Sequence, residues 1–372
     1  MRFIISGAML LGGRKMFKKT LFFSLLCLFS VLILVPPGEG ADRILSGAGA
    51  TFPYPLYEKW IDMYRKKTGV RVSYQAVGSG AGIRQLLERK VDFGGTDAFM
   101  SRDELERAKG DILHIPTCVG AVSIIYHLPE NPVLKFTPKL ITDIFMGRIT
   151  NWSDKEISAV NPGIRLPDLG ISVVHRSDGS GTSFIFTDYL SKVDPEWRDK
   201  IGRGKKVRWL TGMGVEGNPN MAGFVKKISG SIGYVELAYA KRHHLPIALI
   251  KNRFGRFVAP TLKSVSSAAE VAIPSDTRIL VTDTKAPDGY PISAFTWLIF
   301  YKEQSYNQRP YDKACQIARF LRWAIHEGQQ YTNHEFLYAR LPRSAVHKAE
   351  AIIRSMRFEG APIVDATSRG LK

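Results

Sequence analysis

The run His175-Arg176-Ser177-Asp178-Gly179-Ser180-Gly181-Thr182-Ser183 gathers a guanidinium, two glycines and several hydroxyls within nine residues. It follows a strand-like stretch, Ile171-Ser172-Val173-Val174, and opens a helix-like one from Phe184 to Leu190. Glycines at such a turn let backbone N–H groups come close to a ligand, and the first helical turn adds unpaired donors at the positive end of its dipole. That is chemistry for holding an oxyanion. No lysine follows the glycines, so the run is not the GxxxxGKS/T loop of a nucleotide hydrolase. Two more turns set glycine and a hydroxyl ahead of a helix: Gly47-Ala48-Gly49-Ala50-Thr51-Phe52-Pro53 and Gly78-Ser79-Gly80. One such turn is ordinary punctuation. Three are expected to converge on one anion, because open α/β sheets bind ligands beyond the carboxyl ends of their strands.

The elements that must position these turns alternate along the chain. A helix with Leu56, Tyr57, Trp60, Ile61 and Tyr64 on one face should end at Gly69, before a strand carrying Val70, Val72 and Tyr74. A second helix opens at Gly78–Gly82 and carries Ile83, Leu86 and Leu87. A short strand, Val91–Gly94, then ends near Thr96-Asp97, and Ser101 with Glu104 reads as a capping box. Further on come a strand from Val119 to Tyr126, a helix capped by Thr137-Pro138, and the strands Gly230–Val235 and Pro291–Phe300. Helices are expected at Tyr311–Glu327 and Ser344–Met356. Strand, glycine turn, helix, strand is the arithmetic of a parallel α/β sheet.

At 372 residues the chain is long enough for two domains with real cores. Residues 1–40 read differently from the rest. Arg14, Lys15, Lys18 and Lys19 precede an uncharged run from Leu21 to Val35, then Pro36-Pro37-Gly38-Glu39-Gly40, the order of a secretory signal peptide. An uncleaved anchor is the alternative, although the apolar run is short for a membrane span. Leu26 before Cys27 argues against a lipoprotein site, and the periplasm is the expected location. The net charge of +18 becomes +14 without 1–40, since five basic and one acidic residue leave, giving 47 against 33. The basic residues are scattered, with Arg203–Arg208 read as a solvated loop, and no nucleic-acid motif accompanies them, so no nucleic-acid partner is expected. Cys118 and Cys315 give no metal spacing and either pair or stay as buried thiols.

These segments resemble the periplasmic phosphate-binding proteins that feed bacterial ABC phosphate importers. The likeness rests on Gly47–Pro53, Tyr74–Gly80, Val91–Asp97 and Arg176–Ser183, with further matches at Gly233–Ala240 and Tyr338–Pro342, and runs from about Leu45 to Met356. It implies an α/β, two-lobed periplasmic binding protein fold, type II-like, with two hinge-crossing strands, here at Pro116-Thr117-Cys118 and Tyr290–Ser293. Residues 41–117 and 293–372 would make one lobe and 118–292 the other. Carried over, the phosphate-binding residues are Thr51, Phe52, Ser79 and Asp97 from the first lobe and Arg176, Ser180, Gly181 and Thr182 from the second. Asp178 would pair with Arg176 instead of touching ligand. His175 and Gly80 depart from the family pattern, at positions that are not ligands. The resemblance further implies a monomeric binder with no catalytic residues, no cofactor and no metal, its partners being inorganic phosphate and the membrane subunits of an ABC permease.

An acid in an anion site has a physical purpose. Phosphate at neutral pH keeps a proton that a carboxylate can accept in a charge-assisted hydrogen bond, whereas sulfate offers only lone pairs. A buried acceptor left unpaired costs about 1–3 kcal/mol, so Asp97 would select against sulfate. Other readings remain open on residues alone. Asp97 serves as a cap before Ser101, Ser79 and Ser180 as plain N-caps, and Arg176 as a surface ion pair. The chain as a whole is then a binder of sulfate or molybdate, or a secreted serine hydrolase or phosphatase. For the last, neither Ser180 nor Ser183 stands in G-x-S-x-G, and neither His243-His244 nor His334-Glu335 completes H-E-x-x-H.

Overall fold

One strand, Ile112–Tyr126, runs for fifteen residues and organises the chain; the structure, a computed structural model, describes residues 44–332 and 335–363. The signal segment expected over 1–40 and His334 lie outside the described residues. Up to Ala121 the long strand pairs antiparallel with Ser293–Tyr301; from Val122 onward it pairs antiparallel with Ser231–Glu236. The sheet built on it has eight strands, in the order Arg71–Ala76, Ile44–Gly49, Phe93–Thr96, Ser293–Tyr301, Ile112–Tyr126, Ser231–Glu236, Ser172–Arg176, Met213–Val215. The first three are mutually parallel, and so are the last three. Two parallel halves therefore share an antiparallel centre.

The long strand starts seven residues before the expected Val119 and takes in Pro116 and the expected crossing. A proline has no N–H for a ladder and sits in sheets at edges or bulges. Here the register slips between Thr296 and Trp297, which face Cys118 and Pro116, so Thr117 is the extra residue. Its hydroxyl meets Tyr57 Oη at 2.8 Å and donates to the Thr296 carbonyl at 3.2 Å. The bulge thus ties the sheet centre to the first helix, Tyr54–Thr68.

That helix has the expected face, burying Leu56, Tyr57, Trp60 and Tyr64, with Ile61 only half-buried. Gly69 closes it in the left-handed region at φ 74°, sending its N–H to the Arg65 carbonyl. Trp60 stacks on Tyr57, meets Trp323 edge-on and donates from Nε1 to the Gly328 carbonyl at 2.8 Å. The Thr51-Phe52 turn ahead of the helix is anchored by this packing. Ser101 and Glu104 form the capping box, and Thr137 caps Pro138–Phe145. The short strand lies at Phe93–Thr96, two residues later than expected. Cys118 and Cys315 are buried thiols, not a disulfide. Among the described residues no helix is long and apolar enough to cross a membrane.

The second helix, Ser79–Leu87, leans on the strand Ile44–Gly49 through glycine. A β-carbon on Gly82 would fall against Gly49 Cα and the Ala48 carbonyl, both backbone and unable to rotate away. Gly82→Ala should gain about 0.5–1 kcal/mol of helix propensity and lose about 1–3 kcal/mol to overpacking. The expected net is a lower urea midpoint with an unchanged slope; a raised midpoint would show that the helix does not pack this closely.

Candidate functional site

The three glycine turns meet. Gly80 N donates to the Gly179 carbonyl at 2.7 Å, joining the second turn directly to the third. Gly78 has φ 88°, open to glycine and strained for other residues, and a β-carbon there would strike the Asp178 carboxylate. A β-carbon on Gly80 would lie 3.1 Å from Gly179 Cα, so a serine at this position fits only if the opposing turn shifts. On Gly181 it would fall against Ser79 Oγ and 2.5 Å from Asp97 Oδ2. Glycine here sets how closely the two sides approach.

Four of the expected site residues present hydroxyls held in a common sense. Ser180 caps the helix Gly181–Val193, its Oγ accepting from Ser183 N at 3.0 Å. Ser79 is not a cap, since Gly78 occupies that position; its Oγ accepts from Asp97 N at 3.3 Å. Thr51 Oγ1 accepts from Asn218 Nδ2 at 2.8 Å and from Asn218 N at 3.2 Å, and Thr182 Oγ1 accepts from Asn218 Nδ2 at 3.1 Å. All four oxygens are buried and take an N–H, which leaves the O–H groups of Thr51, Ser180 and Thr182 to donate elsewhere, while the Ser79 side chain also hydrogen-bonds the Asp97 carboxyl. The first-turn amides of Gly181 and Thr182 have no intrahelical acceptor either. Carbonyls of the first turn are held by tyrosines: Tyr239 Oη donates to Thr51 O at 2.7 Å and Tyr338 Oη to Phe52 O at 2.6 Å. The Phe52 ring itself is buried in the core.

Arg176 ends the strand Ser172–Arg176 with its side chain 1% exposed. Nε and Nη2 grip Asp178 at 2.6 and 2.5 Å, and Asp178 Oδ1 accepts also from Gly217 N. Among the described residues, Nη1 finds no hydrogen-bond partner although it is buried. A bidentate buried pair is far from the weak surface contact that spacing alone allows. Asp97 is buried at the end of Phe93–Thr96, with Oδ1 accepting from Thr296 Oγ1 at 2.7 Å. Burial pushes its carboxyl up to about 7, against the lowering effects of the Thr296 hydrogen bond and the Arg176 charge. It caps no turn; Thr96 Oγ1 serves that bend through Ala98, and Ser101 caps its own helix. His175 stacks on Trp209 at 4.8 Å, and partial burial lowers its pKa.

Sequence reasoning missed Asn218, Tyr234, Glu236 and Thr296. Asn218 hides in Gly217-Asn218-Pro219-Asn220, which reads as a turn yet opens the helix Gly217–Lys227. Tyr234 Oη accepts from Arg176 N at 3.0 Å and shares a hydrogen bond with Ser183 Oγ at 2.6 Å. Glu236 is wholly buried, and desolvation pushes its carboxyl well above the usual carboxylate range; its Oε2 accepts from Ala238 N at 2.8 Å and lies 3.0 Å from Tyr338 Oη. The Arg203–Arg208 loop is more than solvated: Arg203 pairs with Asp188, and Lys205 reaches Glu104 at 2.6 Å with only 18% and 13% of the two side chains exposed. Neither Ser180 Oγ nor Ser183 Oγ meets a histidine in these contacts, and no cluster among the described residues has the acids, histidines and cysteines to hold a metal.

Residues 35–327 match the model of the PBP superfamily domain. The phosphate-binding protein PstS of Pasteurella multocida is 38% identical over 331 residues, covering 87% of this chain and 92% of that one. PstS of Methanocaldococcus jannaschii is 38% identical over 321 residues, covering 80% and 82%. A solved phosphate-binding protein from Stenotrophomonas maltophilia superposes with a TM-score of 0.64 at 20% identity, over 88% of this chain and 98% of its own, a likeness of fold.

Because the Gly181 contacts come from the opposite side of the site, Gly181→Ala should hold the two sides apart. The overpacking of about 1–3 kcal/mol corresponds to a loss of about five- to 150-fold in oxyanion affinity. The unfolding midpoint of the anion-free protein should move little. Calorimetric titration with thermal unfolding checks this, and native affinity would contradict the close approach.

Proposed function

The chain belongs to the PstS family of phosphate-binding proteins, within the PBP superfamily, and from that membership we propose that it captures inorganic phosphate for an ABC importer. Phosphate would lie between Thr51, Phe52, Ser79 and Asp97 on one side and Arg176, Ser180, Gly181 and Thr182 on the other. The observation that carries this reading is the combination of one buried carboxyl acceptor, Asp97, with three hydroxyls left to donate, on Thr51, Ser180 and Thr182, and an Arg176 Nη1 with no partner among the described residues. A fully deprotonated oxyanion needs donors alone; hydrogen phosphate needs donors and one acceptor for its own proton. That mixture favours phosphate over sulfate or molybdate. A hydrolase reading finds no support, since Ser180 Oγ serves as a cap and Ser183 Oγ is bound to Tyr234.

The reading extends to the whole molecule. The protein would act as a periplasmic monomer, exported by the 1–40 segment, and hand phosphate to the membrane subunits. Its lobes would be 41–117 with 293–372, and 118–292, a division favoured by the change of pairing partner between Ala121 and Val122 on the long strand. Closure would then bring both sides of the site onto the anion, with the Lys205–Glu104 pair closing beside them.

Titration against phosphate and sulfate tests the proposal. The protein should bind phosphate and discriminate strongly against sulfate, and Asp97→Asn should narrow the gap by about five- to 150-fold, the equivalent of the unpaired-acceptor cost of about 1–3 kcal/mol. Selectivity that survives the substitution removes Asp97 from the role.

The pH dependence has a definite sign. With the Asp97 carboxyl titrating at about 7, sulfate bound above that pH must bring a proton from solution to Asp97. Sulfate affinity should therefore fall by about tenfold per pH unit above 7 and level off below it. Phosphate as the monohydrogen dianion carries the proton with it and should show no such slope between pH 7.5 and 9. In Asp97→Asn the sulfate slope should vanish; a flat sulfate profile in the unaltered protein would contradict the assignment.

A further inference from the structure

Asn218, at the start of the helix Gly217–Lys227, is fully buried and uses its whole carboxamide. Oδ1 accepts from Glu236 N at 3.0 Å, while Nδ2 donates to Thr51 Oγ1 at 2.8 Å and to Thr182 Oγ1 at 3.1 Å. The orientation of the amide follows from chemistry. A backbone N–H only donates, so Glu236 N demands the amide oxygen and turns the NH2 group toward the two hydroxyls. An NH2 group only donates in its turn, so each hydroxyl must accept there and aim its own hydrogen away. Asn218 N, 3.2 Å from Thr51 Oγ1, adds a second donor to the same oxygen.

We infer that Asn218 is a positioning residue of the phosphate site, a single carboxamide that sets the hydroxyls of Thr51 and Thr182 as donors to the anion. The inference rests on the phosphate reading above. Thr51 precedes the first helix and Thr182 lies in the first turn of Gly181–Val193, so one side chain orients a hydroxyl from each side of the site. Asn218 does this without touching ligand. Freely rotating hydroxyls would have to be ordered at binding; held this way, they are ordered beforehand.

The substitution that inverts the arrangement is Asn218→Asp. It keeps size and the acceptor for Glu236 N but replaces the NH2 donor with a second acceptor, toward which both hydroxyls would turn their hydrogens. Phosphate affinity by calorimetry at pH 8 should fall by about a hundredfold or more, the loss of two donated hydrogen bonds to a charged group. In the unaltered protein Thr51→Val and Thr182→Val should each cost about tenfold or more, and in the Asn218→Asp background less than about twofold. Additive losses would overturn the inference, because a merely structural asparagine leaves the hydroxyls still donating to phosphate. Asn218→Ala, which frees the hydroxyls without inverting them, should lose less affinity than Asn218→Asp; the reverse order would also overturn it. If Asn218→Asp does not fold, the cycle runs with Asn218→Ala. There each valine substitution should cost clearly less than in the unaltered protein, and additivity again counts against the inference. An unaltered protein that binds no phosphate sinks the functional reading itself, whereas binding with additive losses sinks only the role of Asn218.

Discussion

Burying a small multiply charged anion without water is the constraint to which, on the proposed reading, the rest of this structure would answer. An isolated ion moved into a medium of low dielectric loses tens of kcal/mol of hydration, and only aligned dipoles or counter-charges can replace that. Counter-charge is scarce here. The guanidinium of Arg176 is already matched by Asp178, and Asp97 and Glu236 are acids in the same interior. Stabilisation of a bound phosphate would therefore come from oriented donors: hydroxyls whose oxygens are pinned by N–H groups, amides in the first helical turn, and one guanidinium nitrogen left over. Tyr239 and Tyr338 serve the same end from behind, drawing two carbonyl oxygens of the first turn onto their own hydroxyls.

Such donors work only if strands and helices hold them to a fraction of an ångström, and the centre of the sheet supplies that rigidity. The long strand belongs to both halves, pairing with Ser293–Tyr301 over one stretch and with Ser231–Glu236 over the next. The bulge at Thr117 lies where the crossing was expected. It links outward through Tyr57 to the helix behind the Thr51 turn and across to Thr296, whose hydroxyl fixes Asp97. A local irregularity in pairing thus reaches both the helix behind the Thr51 turn and the carboxyl of Asp97. The burial that raises the Asp97 carboxyl to about 7 comes from the same dense packing.

Much of this was legible in the residues. Glycine beside hydroxyl before a helix marked the turns because φ, close approach and unpaired N–H groups each leave a local trace. The amphipathic face of Tyr54–Thr68 and the capping box at Ser101 were readable for the same reason. What escaped depends on distant partners. Asn218 sits in a string of turn-forming residues, and only the fold puts it between Thr51 and Thr182. The first seven residues of the long strand escaped because the bulge that accommodates Pro116 is made with residues 180 positions later. Lys205 looked solvated because Glu104, its partner, is a hundred residues away. Ser79 looked like a cap because sequence cannot say which of two adjacent residues takes that place; Gly78 does.

The interlocked glycines carry a consequence for how such a site can change over generations. Across the site, Gly78 faces the Asp178 carboxylate, Gly80 faces the Gly179 main chain, and Gly181 faces the side chains of Ser79 and Asp97, so the spacing of the two walls is set by glycines at all three points. Mutation at one codon readily alters which protons are given or accepted, as at Asp97 or Asn218, but it has little means of enlarging the chamber. Descendants of this chain are free to drift in chemical preference among tetrahedral ions of one size. To take up a bulkier solute, they would have to rebuild several turns at once.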